Sequence, residues 1–108
     1  MELNEYQNKA RENDFCPVIK YDFDYPAIAM AGEVGELLNK IKKIHREGKE
    51  IDSKLKEEVL FELGDILWYL AKLCRSFNWE LDYVASINLI KIDERLKKGT
   101  LWGNGDRR

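Results

Sequence analysis

Two pairs of acidic residues have a spacing that could hold a metal ion. Glu33 and Glu36 lie three positions apart, and Glu62 and Asp65 repeat that spacing further along the chain. Residues at i and i+3 share one helix face, so each pair presents two carboxylates together. Oxygen ligands select a hard divalent ion, so the spacing predicts a Mg²⁺ site in which Mn²⁺ can substitute. The alternative is that all four are ordinary solvated charges.

The apolar residues around the acidic pairs predict the helices that carry them. They recur every three or four positions in two segments, which is typical of amphipathic helices packed side by side. At about 100° per residue, the first acid of each pair lies about 60° from the centre of its apolar stripe and the second about 120°. Both pairs lie on the same side, so packing the stripes turns both acidic shoulders into one cleft. The stripes are Met30, Val34, Leu37, Ile41 and Ile44, and then Leu55, Val59, Leu63, Ile66, Leu70 and Leu73.

Four helices account for most of the chain. The predicted helices cover residues 3–13, from about 24 to Gly48, from after Asp52 and Ser53 to about 77, and from after Asn78 to Gly99. Asp24 is the expected N-cap of the second helix. Strand signals are absent. We therefore predict one all-α domain over residues 1–108, with the architecture of a four-helix bundle.

Composition and charge exclude several classes of protein. An apolar fraction of 44% is too high for a disordered chain, and a net charge of −2 gives no general attraction to nucleic acid polymers or acidic membranes. No apolar run approaches the roughly 18 residues that a membrane span needs. The chain opens on methionine and its first residues lack a basic and apolar leader, so we expect a nearly complete cytoplasmic protein. Cys16 and Cys74 form no C-x-x-C pair, which fits a reducing compartment.

A third set of polar residues lies on the fourth helix. Asn88, Lys91 and Arg95 are spaced i, i+3 and i+7 and share one face, where a lysine and an arginine suit phosphate groups. The alternative is a solvated basic face that pairs with Asp93 or Glu94.

The acidic motif and its surroundings resemble a known family. Glu-x-x-Glu followed, after 25 intervening residues, by Glu-x-x-Asp is similar to the signature of the all-α nucleoside triphosphate pyrophosphohydrolases, the MazG-like group. The neighbouring residues match as well, and the resemblance covers nearly the whole chain. It departs at Phe61, where many members carry an acid, and in the first helix, which lacks a threonine often found there. The similar segments are Ala-Gly-Glu33-Val-Gly-Glu36-Leu, Glu62-Leu-Gly-Asp65-Ile-Leu-Trp-Tyr-Leu, Glu5-Tyr6-Gln7, Asn88-x-x-Lys91-x-x-x-Arg95 and Gly-x-Gly-Asp106-x-Arg108.

The resemblance implies Mg²⁺-dependent hydrolysis of (deoxy)nucleoside triphosphates to the monophosphate and pyrophosphate, as housecleaning of the nucleotide pool. Glu36 is then our candidate for the residue that accepts a proton from water, in addition to being a metal ligand. Two related enzymes remain as alternatives, a dUTP-type diphosphatase and a phosphoribosyl-ATP pyrophosphohydrolase. A different class is a non-catalytic helical module that binds a nucleotide or a partner. The expected substrate contacts are Asn88, Lys91, Arg95, Gln7, Trp68 and Arg108.

Aromatic residues and the tail raise the question of self-association. Phe61 and Trp68 point away from the core stripe of the third helix, so a monomer is expected to leave them exposed. This predicts a homodimer or homotetramer, although Trp68 could instead stack on a nucleobase. Arg107 and Arg108 are either ordered phosphate contacts or part of a frayed terminus.

Overall fold

The computed structural model describes residues 1–13, 15–106 and 108, and these residues form four helices. The helices are α1 (Leu3–Glu12), α2 (Asp24–Glu47), α3 (Ser53–Ser76) and α4 (Leu81–Lys98). No strand occurs in this described part, which confirms the predicted all-α class. Within it, no helix has both the length and the apolarity that crossing a membrane requires.

Most helix ends follow the local sequence signals. Gly48 ends α2 with φ 61° and Gly99 ends α4 with φ 70°, the left-handed conformation that glycine adopts without a steric penalty. Asp52 caps α3, since its carboxylate accepts a hydrogen bond of 2.8 Å from the N–H of Leu55.

The residues just before α2 and α4 determine where these helices begin. Asp24 is the first residue of α2 and not its N-cap, because its carboxylate accepts from the preceding N–H groups of Lys20 and Tyr21 and closes the turn before the helix. Helix α4 begins at Leu81, since Asn78 takes a left-handed conformation with φ 60° and ends α3 in a turn.

Helices α2 and α3 form an antiparallel hairpin, the most extensive helix pairing in the fold. The rings of Tyr25 and Tyr69 meet edge to face at 6.5 Å near the open end of this hairpin. Closer to the connecting loop, Lys40 of α2 lies 3.7 Å from Glu62 of α3. The central turns of the two helices therefore face each other between these contacts.

Helix α1 joins the hairpin to α4 through the side-chain amide of Gln7. Its nitrogen donates to the carbonyls of Ala71 and Trp79 at 3.2 and 2.9 Å, and its oxygen accepts from the N–H of Leu81 at 3.0 Å. The Asn4 side chain likewise accepts from the N–H of Asp82, so α1 supplies partners to the first turn of α4. The buried apolar residues gather at this junction and comprise Ala10, Ala71, Cys74 and Leu81.

The single chain is less compact than a typical domain of its length. Its radius of gyration is 16.7 Å, whereas a compact domain of this size has about 13 Å. Helix α4 packs on α1 and α3, and its described residues do not contact α2. As a result Leu38, Leu60 and Leu63 on the hairpin are each at least half exposed, and Leu63 belongs to the apolar stripe of α3, where a leucine is ordinarily buried.

Candidate metal centre

Three of the four predicted acids converge on the hairpin. Glu33 of α2 and Glu62 and Asp65 of α3 each place a carboxylate oxygen within 4.8 Å of the others. Glu33 and Glu62 are half-buried, whereas Asp65 is exposed. The antiparallel pairing of α2 and α3 produces this convergence, because it brings one acidic shoulder against the other. We call these three residues the carboxylate cluster.

Glu33 shows the electrostatic cost of this arrangement. Its carboxyl has a raised pKa, first because burial disfavours its charged form, and then because it shares a hydrogen bond with the Glu62 carboxyl. The negative charges of Asp65, Glu62 and Glu36 raise this pKa further. The cluster thus favours either a proton or a cation among its oxygens.

The donor set fits a hard divalent cation. One oxygen of Glu62, Oε2, is buried and finds no hydrogen-bond partner among the described residues. An unsatisfied buried carboxylate oxygen is costly, and a bound cation would satisfy it. All the donors are carboxylate oxygens, the ligand type that suits Mg²⁺ or Mn²⁺.

Lys40 is a member of this site that the sequence reasoning missed. Its ammonium lies 3.7 Å from Oε1 of Glu62, and both side chains are largely shielded from solvent. The signal was present in the spacing, since Lys40 follows Glu36 by four positions and Glu33 by seven and therefore shares their helix face. Its charge partly compensates the carboxylate cluster.

Glu36 occupies a more peripheral position than its predicted role as a ligand suggests. It is exposed and lies outside the group of three carboxylates whose oxygens approach one another. It still acts on the cluster, because its charge contributes to the raised pKa of Glu33.

Two phenols flank the cluster and were also missed. Burial is the main cause of the raised pKa of Tyr69, and the negative charges of Glu33 and Asp65 add to it. The pKa of Tyr6 on α1 is raised by burial and by Asp65. Tyr69 follows Asp65 by one helical turn, a spacing that could have placed it near the site.

The predicted phosphate face of α4 lies apart from α2. Asn88 and Lys91 line a groove of about 380 Å³ together with aromatic and apolar side chains of the same region. Lys91 and Arg95 both approach the carboxylate of Asp106 in the tail, each at 3.6 Å. The groove is lined by Trp79, Tyr83, Val84, Ile87, Asn88 and Lys91. The expected alternative partner Asp93 instead pairs with Lys97 at 2.8 Å.

The other predicted substrate contacts have structural partners. Gln7 is 2% exposed, and both ends of its amide are engaged in the junction of α1, α3 and α4. Arg108 donates to the carbonyls of Thr100, Leu101 and Gly105 and closes the tail on itself. These contacts give no support to a role for either residue in substrate binding. Arg107 lies outside the described residues.

Trp68 corrects the expectation of two exposed aromatics on α3. Its indole N–H donates to the Asn13 side chain, and the Lys72 ammonium lies 3.8 Å above its ring. Helix α1 and its end therefore cover Trp68, which is half-buried beside the core. Phe61, by contrast, is 61% exposed as predicted.

Comparisons with known proteins agree with this geometry. The MazG nucleotide pyrophosphohydrolase domain family matches residues 27–100, a range that contains all four predicted acids. The chain is 36% identical over 85 residues to the Gene 37 protein of Mycobacterium phage L5, covering 78% of this chain and 75% of that protein. No solved structure matches. The family match supports nucleotide pyrophosphohydrolase activity in general.

Proposed function

We propose that this chain hydrolyses (deoxy)nucleoside triphosphates to the monophosphate and pyrophosphate. The premise is that the chain belongs to the MazG nucleotide pyrophosphohydrolase family. The observation that carries the proposal is the carboxylate cluster, with its raised pKa at Glu33 and its unpartnered oxygen at Glu62. Such a set of oxygens suits Mg²⁺, with Mn²⁺ as a substitute.

We assign different roles in the reaction to the residues of the site. Glu33, Glu62 and Asp65 would hold the ion, which when bound supplies positive charge for the phosphoryl oxygens and acidifies a nearby water. Glu36 is exposed and close enough to influence Glu33, so it remains our candidate to accept the proton from water. Lys40 holds Glu62 in place on the hairpin.

The phosphate chain requires further cations, because Lys40 of the hairpin is already paired with Glu62. Lys91 and Arg95 are the proposed contacts, and Asn88 lines the same groove as Lys91. Since α4 does not contact α2 within the described chain, we propose that a homodimer or homotetramer brings such a face to the carboxylate cluster. The half-exposed leucines of the hairpin and the large radius of gyration support this assembly.

We place the activity in the cytoplasm, where it would act on the nucleotide pool. Cys16 and Cys74 form no C-x-x-C pair, which fits a reducing compartment.

The test is pyrophosphate release from a panel of canonical and modified (d)NTPs, with Mg²⁺, with Mn²⁺ and with EDTA. We expect metal-dependent pyrophosphate, and a loss in kcat/KM on the order of 100-fold or more in Glu62→Gln, the scale of losing one group that stabilises transition-state charge. Glu57→Gln is the matched control, since Glu57 is an exposed acid on the same helix. Orthophosphate as the product, or full activity of Glu62→Gln, would contradict the proposal.

A further inference from the structure

The chain turns back on α4 after its last helical residue. Gly99 ends the helix, and the N–H of Thr100 donates to the carbonyl of Arg95 at 2.8 Å. The following residues form a loop that Arg108 closes through the carbonyls of Thr100, Leu101 and Gly105. We call residues 100–106 together with Arg108 the tail loop.

The tail loop places a carboxylate on the cationic face of α4. One oxygen of Asp106 lies 3.6 Å from the ammonium of Lys91 and 3.6 Å from Nη2 of Arg95. The same Nη2 also donates to the backbone carbonyl of Asp106 at 3.0 Å. An anionic group thus already bridges the two cations that a phosphate chain would use.

The two partners in this contact, Arg95 and Asp106, differ in solvent exposure. Arg95 is 5% exposed, so its guanidinium is fixed within the fold, and its Nε has no hydrogen-bond partner among the described residues. The Asp106 side chain is 89% exposed. The carboxylate is solvated and both of its ion-pair contacts are long at 3.6 Å, so it can leave for water while the guanidinium of Arg95 stays in place.

We propose that Asp106 is an internal competitor for phosphate, and that the tail loop must release Lys91 and Arg95 before a phosphate or pyrophosphate anion binds them. This inference rests on the proposed role of Lys91 and Arg95 as phosphate contacts. A pyrophosphate carries more negative charge and more acceptor oxygens than one carboxylate, so it displaces Asp106 from these donors. The competition selects ligands with several phosphate charges over ligands with a single carboxylate.

The test measures binding of inorganic pyrophosphate to the full chain by calorimetry in EDTA, which keeps metal ions out of the carboxylate cluster. Asp106→Asn should lower the dissociation constant about 2- to 10-fold, the factor that losing one or two exposed ion pairs gives. Asp93→Asn is the matched control, since it removes the same charge from an acid that pairs with Lys97. We expect it to bind as wild type does.

A second variant loosens the tail loop without changing its charge. Gly105 has φ 81°, so Gly105→Ala strains the loop although no atom lies within 4 Å of the added Cβ. It should tighten pyrophosphate binding in the same direction as Asp106→Asn. Hydrogen exchange of residues 100–106 in the wild type should become faster when pyrophosphate is added.

Other results would overturn the competition. Weaker binding in Asp106→Asn would mean that Asp106 orients the cations. Equal or weaker binding therefore refutes the proposal, as does an equal gain in Asp93→Asn. Lys91→Ala separates this failure from that of the proposed function. If Lys91→Ala loses pyrophosphate while Asp106→Asn matches wild type, only the competition fails. If Lys91→Ala binds as wild type does, the assigned phosphate contact fails as well.

Discussion

Replacing Glu33 by glutamine should stabilise the metal-free protein and remove its response to Mg²⁺. Glutamine keeps the shape of the carboxyl and deletes its charge, so the repulsion inside the carboxylate cluster falls. Two unit charges at most 4.8 Å apart repel by at least about 0.9 kcal/mol at the dielectric constant of water and at least about 3.5 kcal/mol at an effective value of 20. Because Asp65 is exposed and Lys40 lies beside Glu62, we expect a gain near the lower limit, about 1 kcal/mol.

Thermal unfolding with and without Mg²⁺ measures both effects. For a chain of 108 residues, about 1 kcal/mol corresponds to roughly 4 °C in Tm. Mg²⁺ at ten times its Kd should add about 1.4 kcal/mol, or roughly 6 °C, to the wild type and almost nothing to Glu33→Gln. Glu57→Gln is the control and should respond to Mg²⁺ as wild type does.

The pH dependence gives an independent check. The folded-state pKa of Glu33 is raised, so the stability that its neutral form contributes is present at low pH and is lost as the pH rises through that pKa. The advantage of Glu33→Gln without metal should therefore be smallest at acid pH and grow as the pH rises through that pKa. If the variant is no more stable than wild type at pH 7 and keeps the same Mg²⁺ shift, the electrostatic reasoning and the metal assignment are both wrong.

Three further perturbations test other parts of the fold. Gln7→Leu should lower the free energy of unfolding by about 3 kcal/mol in chemical denaturation, because it removes three hydrogen bonds at a buried junction. The control Asn8→Ala should lower it by less than about 1 kcal/mol. Equal losses in the two variants would refute the role of Gln7. Lys40→Gln should lower the dissociation constant for Mg²⁺, measured by calorimetry, by about 2- to 5-fold, since it removes a cation 3.7 Å from Glu62. An unchanged dissociation constant would contradict this expectation. Gly48→Ala should lower the free energy of unfolding by about 1 kcal/mol in thermal unfolding, because alanine is strained at the φ of 61° that Gly48 adopts. A more stable variant would show that this helix cap does not require glycine.

The helices and the carboxylate cluster could be predicted because both depend on local periodicity. A spacing of three residues fixes Glu62 and Asp65 on one face whatever the rest of the chain does, and the apolar stripe fixes which way that face turns. Lys40 follows from the same rule once Glu33 and Glu36 are recognised. The distinction between Glu36 and the three converging acids depends on the rotation of α2 in the hairpin, which periodicity specifies only to within tens of degrees.

The remaining contacts depend on long-range packing. Glutamine is ordinarily exposed, so nothing local marks Gln7 as nearly fully buried. The alternative to a phosphate contact paired the basic face of α4 with acids of its own helix, but Arg95 meets Asp106 of the tail loop, eleven residues away. Trp68 was expected to be exposed because its position was judged against the stripe of α3 alone, while α1 covers it from another direction.

The way α1 supplies the first hydrogen-bond acceptors of α4 has a consequence for the order of folding. The bonds from Leu81 to Gln7 and from Asp82 to Asn4 span 74 and 78 residues of chain. The hairpin of α2 and α3 consists of neighbouring segments, so it can form while the chain is still being synthesised. Helix α1 precedes the hairpin and can pack on α3 once that helix has formed, but its bonds to α4 form only after residue 82 has left the ribosome. The contact between α1 and α4 should therefore be among the last to form, and removal of α1 should unravel the start of α4.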